Sequence, residues 1–168
     1  MPGIFFINTA LLLAEPDHTL QASRKSMGKI LGLDVGEKTI GVAVSDELRW
    51  TAQGLTTLKR AGKTRDLSAL TTLIDTHNVE EIVIGLPKNM NNTLGEQAEK
   101  VLKFSRLLET QFQDMKITLW DERLTTSAAD RILLRADMSR KKRKKVINTL
   151  AAALILQNYL DATALESP

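Results

Sequence analysis

The chain has 168 residues, no cysteine, two histidines and a formal net charge of +3. Disulfides, thiolate metal sites and histidine-rich zinc sites are excluded, so any bound metal is held by oxygen ligands, as magnesium or manganese would be. Hydrophobic residues make up 43% of the chain, enough for the core of one ordinary domain. The longest apolar stretch, Ile4 to Ala14, is interrupted by Asn8 and Thr9 and is too short to span a membrane.

Residues 1–26 match no part of the pattern that follows and are expected to form a poorly ordered extension. Met27, directly before Gly28-Lys29-Ile30, is the expected native start; the alternative is a targeting or interaction segment, which recovery of Met1 by N-terminal sequencing would favour. One domain is expected over residues 27–162, with 163–168 as a tail. Lys29–Asp34 reads as a first strand and Ile40–Ser45 as an antiparallel return, with Gly36 and Glu37-Lys38 supplying the turn. A third strand is expected at Leu55–Leu58. Arg65–His77 places Leu67, Leu70, Leu73 and Ile74 on one helical stripe. Glu81–Leu86 is a β-branched run, the mark of a buried central strand, and Pro87 stops it. Lys88 to Thr93 is a polar loop. Glu96–Phe112 is helical, with Ala98, Val101, Leu102, Ser105 and Leu108 inward. Lys116–Trp120 is another strand, closed by Asp121-Glu122-Arg123. Thr125–Arg135 is helical, with Thr125 or Thr126 as its cap. Six consecutive cations follow, Arg140, Lys141, Lys142, Arg143, Lys144 and Lys145. Ile147–Leu160 is then a largely buried helix. The order gives an α/β fold: a mixed five-stranded sheet opened by an antiparallel hairpin and covered by helices on both faces.

Functional groups gather at strand C-terminal ends in such folds, and here those ends carry Asp34, Gly85-Leu86-Pro87 and Asp121-Glu122. If the first and last strands are neighbours, the carboxylates converge and repel unless a divalent cation fills the gap. Such an ion can lower the pKa of a bound water and clamp a phosphoryl oxygen. Strand alternation points Asp121 away from Glu122. Competing structural roles exist: Asp34 as a turn residue, and Glu122 as a partner of Arg123 or a helix N-terminal charge. The cationic run suits a polyanionic backbone, with affinity that falls with salt. Trp120 and Tyr159 are expected in the core, and Trp50 is expected to pack rather than stack on a base.

The segments LGLDVGEKTIGVAVSD, EIVIGLPKNMNNT, WDERLTT and RKKVINTLAAALILQNYLD, in that order, resemble the YqgF family, also called RuvX. These are bacterial RNase H-like nucleases similar to Holliday-junction resolvases. The resemblance runs from about Met27 to Asp161. It implies an RNase H-like fold, a cytoplasmic protein and a nuclease maturing the 5′ end of pre-16S rRNA. It implies Mg2+ or Mn2+ as cofactor, and pre-rRNA or branched DNA as partner. By the resemblance Asp34 and Glu122 are catalytic and metal-binding acids. A third carboxylate is expected on the last helix, but Asn148 stands there. An amide oxygen can coordinate magnesium, yet it brings no charge and cannot act as a base. Lys88, Asn89, Arg123 and the cations Arg140 to Lys145 are the candidate nucleic-acid contacts.

Three functions compete on this sequence: a metal-dependent nuclease weakened by Asn148, which cuts either rRNA or a Holliday junction; a nucleic-acid-binding protein of the same fold that no longer cuts; and a phosphotransferase. The last shares the L-G-x-D-x-G hairpin but needs a second copy, which this chain is too short to hold. A monomer suits trimming of one RNA end, whereas cutting two strands of a junction calls for a two-fold dimer.

Overall fold

The computed structural model describes residues 28–88, 94–121 and 140–165, with side chains of the last segment from Val146 onward. Five strands and three helices are described among these residues. They are β1 (Lys29–Val35), β2 (Thr39–Ser45), β3 (Ala52–Lys59), α1 (Lys63–His77), β4 (Val79–Leu86), α2 (Glu96–Gln111), β5 (Lys116–Asp121) and α3 (Arg140–Leu165). The sheet order is β3-β2-β1-β4-β5. β1 pairs antiparallel with β2 and parallel with β4, and β4 pairs parallel with β5. The sheet is therefore mixed.

Strand alternation splits the core into two layers. Leu31, Leu33, Ile40, Val42, Ile82 and Ile84 pack under α1 and α2, around Leu70, Val101, Phe104 and Leu108. Ile30, Ala43 and Val83 face the other way, against Ala152, Ile155, Leu156, Tyr159 and Leu160 of α3. Helices thus cover both faces, as the sequence pattern implies.

α3 lies unusually close to the sheet because glycines lie beneath it. A Cβ on Gly41 would overlap the backbone carbonyl of Asn148. One on Gly54 would sit 2.6 Å from Cγ2 of Thr149, and one on Gly32 would sit 2.7 Å from Cβ of Leu156. The Gly41 contact is backbone against backbone, so no rotamer change relieves it. Gly41→Ala is therefore expected to cost about 3 kcal/mol or more, at the upper end of overpacking penalties. A urea midpoint for this variant equal to that of the parent chain would show that α3 does not seat there.

Several expectations change. β1 and β5 are not neighbours, because β4 lies between them. The cationic run does not precede the last helix; it forms the first turns of α3, which continues through Leu165. β3 (Ala52–Lys59) is longer than the expected strand Leu55–Leu58. It is an edge strand with a register shift opposite Val42/Ala43, so polar residues such as Gln53 and Thr56 fit its open side. Trp50 does not pack: it is 72% exposed, on a turn where Asp46 Oδ1 accepts from the backbone N–H groups of Trp50 and Thr51 at 2.7 and 2.8 Å. Trp120 and Tyr159 do meet at the α3 face, edge to face with ring centroids 5.3 Å apart. The predicted extension over residues 1–26, Asn89 and the predicted helix Thr125–Arg135 lie outside the described residues.

Candidate active site

Asp34 sits one residue before the end of β1. Residues 30, 32 and 34 of that strand alternate onto the α3 face, where Ile30 and Gly32 meet the helix. The hairpin that carries Asp34 is pinned from the opposite side by α2. Gln97 Nε2 donates to the Val35 carbonyl at 2.7 Å, and Lys100 pairs with Glu37 at 2.6 Å. At the hairpin end Gly36 donates its backbone N–H to the Thr39 carbonyl at 2.9 Å.

The register then places the second residue. Asp34 is the cross-strand partner of Gly41, and the backbone of Asn148 rests on Gly41. Residue 148 therefore lies one strand over from Asp34, on the same face of the sheet. Its amide Nδ2 donates to Thr39 Oγ1 at 2.8 Å. On the next residue of the helix, the Thr149 and Thr57 hydroxyls are 2.8 Å apart.

Burial pushes the Asp34 carboxyl up to about 6, from an ordinary value near 3.8. Among the described residues no donor or cation offsets that desolvation. A half-buried carboxylate without a counter-charge, beside an amide whose oxygen has no described partner, fits a hard cation with oxygen ligands. No group of three acidic or histidine side chains gathers among the described residues.

The other candidates fall elsewhere. Asp121 aligns with Leu86, so it lies on the α1/α2 face, away from Asp34, and forms an ion pair with Lys88 at 3.5 Å. It cannot replace the charge missing at residue 148. Lys88, a candidate nucleic-acid contact, is thus also an ion-pair partner. Glu122, Asn89 and Arg123 lie outside the described residues. Arg140 to Lys145 are helical, in the turns of α3 that precede Asn148. Arg140 and Asn148 are eight positions apart on the helix, a rise of about 12 Å.

Two residues that the fold uses carry no signal in the sequence pattern. One is Thr39, on the tie to Asn148. The other is Glu81, a buried charge at the opposite end of α3. It accepts from Tyr159 Oη at 2.6 Å, Lys116 Nζ at 2.8 Å and Thr118 Oγ1 at 3.0 Å. Burial opposes its charge, but the bonds from Lys116, Tyr159 and Thr118 together hold the carboxyl below its usual range. A depressed carboxyl stabilises the fold above its unfolded pKa, and that contribution is lost as pH falls through the folded value. Tyr159→Phe is expected to lower the thermal midpoint near pH 7 by a few degrees, as losing about 1–2 kcal/mol of a bond to a charged group implies. An unchanged midpoint would show that Lys116 and Thr118 suffice.

A mixed five-stranded sheet with an acid on its central strand and a helix laid across that face defines an RNase H-like fold. Solved structures agree on the fold. Fowlpox virus resolvase bound to Holliday junction DNA matches with a TM-score of 0.54 at 10% identity, over 80% of this chain and 98% of that one. RuvC of T. thermophilus, in complex with a Holliday junction substrate, matches with a TM-score of 0.51 at 16% identity, over 82% and 96%. Sequence relatives are much nearer. A Clostridium kluyveri protein named "Putative pre-16S rRNA nuclease" is 58% identical over 133 residues, which is 79% of this chain and 96% of that protein. Proteins of the same name from Clostridioides difficile and Staphylococcus haemolyticus are 58% and 55% identical, each over 80% of this chain and over 94% and 96% of their own. The family model described as "RuvX: Holliday junction resolvase" matches residues 28–162, and this chain belongs to that family.

Proposed function

We propose that this chain hydrolyses phosphodiester bonds at Asp34, with Asn148 and Glu122 completing the site, and that its substrate is the 5′ end of pre-16S rRNA. The observation that carries the reading is the placement of residue 148 over Gly41, the strand partner of Asp34. Asp34 and Asn148 would hold a divalent ion, Mg2+ or Mn2+, with Glu122 as the second carboxylate. When bound, such an ion activates a water and stabilises charge on the transferring phosphoryl group. Asp34 supplies negative charge at the end of a rigid strand. Asn148 supplies an oxygen but accepts no proton. The substrate and the choice of ion are supported by the names of the relatives and by the oxygen-only donor set. A cytoplasmic setting belongs to the same reading, and no helix among the described residues is long and apolar enough to cross a membrane.

Cleavage of an RNA carrying the 16S 5′ extension, in Mn2+ and then Mg2+, tests this directly. Slow cutting that Asp34→Asn abolishes is expected. If Asp34→Asn cuts at the original rate, the site is elsewhere. A chain that cuts four-way DNA junctions but not the RNA would instead favour the resolvase reading, which the family description and the junction-bound neighbours support. Binding without cutting, in either ion, would favour a catalytically silent member, and Asn148 is the reason to include that outcome.

The cationic turns of α3 give a separate expectation. Each cation on a phosphate releases condensed counterions, so the affinity should fall linearly with salt on a double-logarithmic plot. Lys141→Gln with Lys144→Gln should weaken RNA binding and lower that slope by about two, roughly one per contact. A slope that does not move would place the polyanion on another surface.

A further inference from the structure

We infer that Thr39 is a positioning residue of this site: its hydroxyl holds the Asn148 amide so that the amide oxygen faces the ion shared with Asp34. This rests on the metal-site reading above and adds to it how residue 148 is aimed.

Three observations carry it. Thr39 opens β2 and lies on the same face as Gly41 and Ala43, the face that meets α3. Its Oγ1 receives the Asn148 Nδ2 hydrogen at 2.8 Å, in a pair more than a hundred residues apart in sequence. That bond commits the nitrogen of the amide and leaves the oxygen as its uncommitted atom among the described residues. Thr39 is also β-branched and part of a paired strand, opposite Lys59, so its χ1 is restricted and the hydroxyl direction is set by the sheet. Asparagine needs this more than aspartate would. A carboxylate offers two equivalent oxygens, whereas an amide turned by 180° would offer N–H to a cation and repel it. A threonine hydroxyl can also donate, so Thr39 fixes where the side chain of residue 148 sits, and the cation selects the sense with Nδ2 on Thr39 because the reverse would turn N–H toward it; an aspartate at 148 is served by the donating sense.

The fold contains its own control. Thr57 and Thr149 form a hydroxyl pair of the same length on the next residue of the same helix. That pair ties α3 to β3, and no hydrogen bond from it to the Asn148 side chain is seen among the described residues. If Thr39 merely anchored the helix, losing either tie would have the same effect.

The test is Mn2+ affinity of the full chain, read from free Mn2+ by electron paramagnetic resonance. Thr39→Val is expected to weaken it about tenfold, the lower end of what losing a partner of a metal ligand costs. Thr39→Ser should restore it to within about twofold, and Thr57→Val should leave it within about twofold, because only the first touches a ligand. In an Asn148→Ala background, Thr39→Val should cause no further loss, since its partner is gone. Equal Mn2+ losses in Thr39→Val and Thr57→Val would overturn the inference, as would a further loss in the Asn148→Ala background. Should Thr39→Val fail to fold, Thr39→Ala and Thr39→Ser decide it: equal affinities overturn the inference, and a loss confined to alanine supports it. Asp34→Asn separates the two levels. If it keeps full Mn2+ affinity, the metal site itself is wrong. If it loses affinity while Thr39→Val does not, only the role of Thr39 falls.

Discussion

Replacing Asn148 with aspartate is expected to speed metal-dependent cleavage about ten- to a hundredfold, which corresponds to about 1.4–2.7 kcal/mol of barrier. Residue 148 is fixed next to Asp34 by the backbone contact at Gly41, so the substitution changes charge with little change in position. At an effective dielectric of 20, two unit charges 4 Å apart attract by about 4 kcal/mol, and a divalent ion doubles this. Desolvation of the new carboxylate takes back a large part, yet a small remainder is enough for tenfold. The Thr39 hydroxyl bond need only reverse direction. A cost accompanies the gain. Without metal, a second carboxylate beside Asp34 repels it. The variant should therefore melt lower than the parent chain in EDTA and higher in Mn2+. Cleavage rate and Mn2+ affinity both unchanged would show that residue 148 does not limit the site.

Asp34→Asn is expected to abolish cleavage and, in EDTA at pH 7, to make the fold more stable. Because burial raises this carboxyl from about 3.8 to about 6, the folded state binds a proton more tightly than the unfolded state. Stability then falls as pH rises from about 4 to about 6 and stays lower above that window. A shift of about two units corresponds to about 3 kcal/mol, of which the buried amide of asparagine returns some. A net gain of about 1–2 kcal/mol would raise the thermal midpoint by roughly 2–8 °C in a chain of this size. At pH 4 the carboxyl is mostly protonated and the two proteins should melt together. Saturating Mn2+ should shrink or reverse the difference at pH 7, since on the proposed site only the parent chain would hold the ion through Asp34. A variant less stable than the parent at pH 7 in EDTA would mean that a donor outside the described residues already satisfies Asp34.

Much of this was legible from residue pattern alone. The hairpin is clear because two apolar runs flank a turn at Gly36, and Glu81–Leu86 because a β-branched run suits a strand buried on both faces. Asp34 stood out as an acid ending an apolar run. Other features follow only from three-dimensional neighbours. The edge strand β3 is half open to solvent and carries only Leu55 and Leu58 as large apolar residues, so its signal is weak and short. Six contiguous cations show no helical stripe, which hid that they begin α3 rather than precede it. The roles of Gly41 and Gly54 appear only once a helix is laid over two different strands. Glu81 reads as the edge of an apolar run, and its partners Lys116 and Tyr159 are remote in sequence. That β4 separates β1 from β5 is a matter of strand order, which spacing does not encode.

The close seating of α3 on Gly41 has a consequence for which changes this protein can absorb. Near Asn148 main chain touches main chain, while Glu81 holds the helix again at Tyr159, eleven residues further on. Two fixed points on one rigid rod define a length and a phase. One residue added or removed between positions 148 and 159 would turn one anchor by about 100° relative to the other and shift it by about 1.5 Å. Either Tyr159 would leave Glu81, or residue 148 would swing away from Asp34. Substitutions along the exposed side of this stretch should therefore be cheap, and single-residue indels within it should be lost from any functional library.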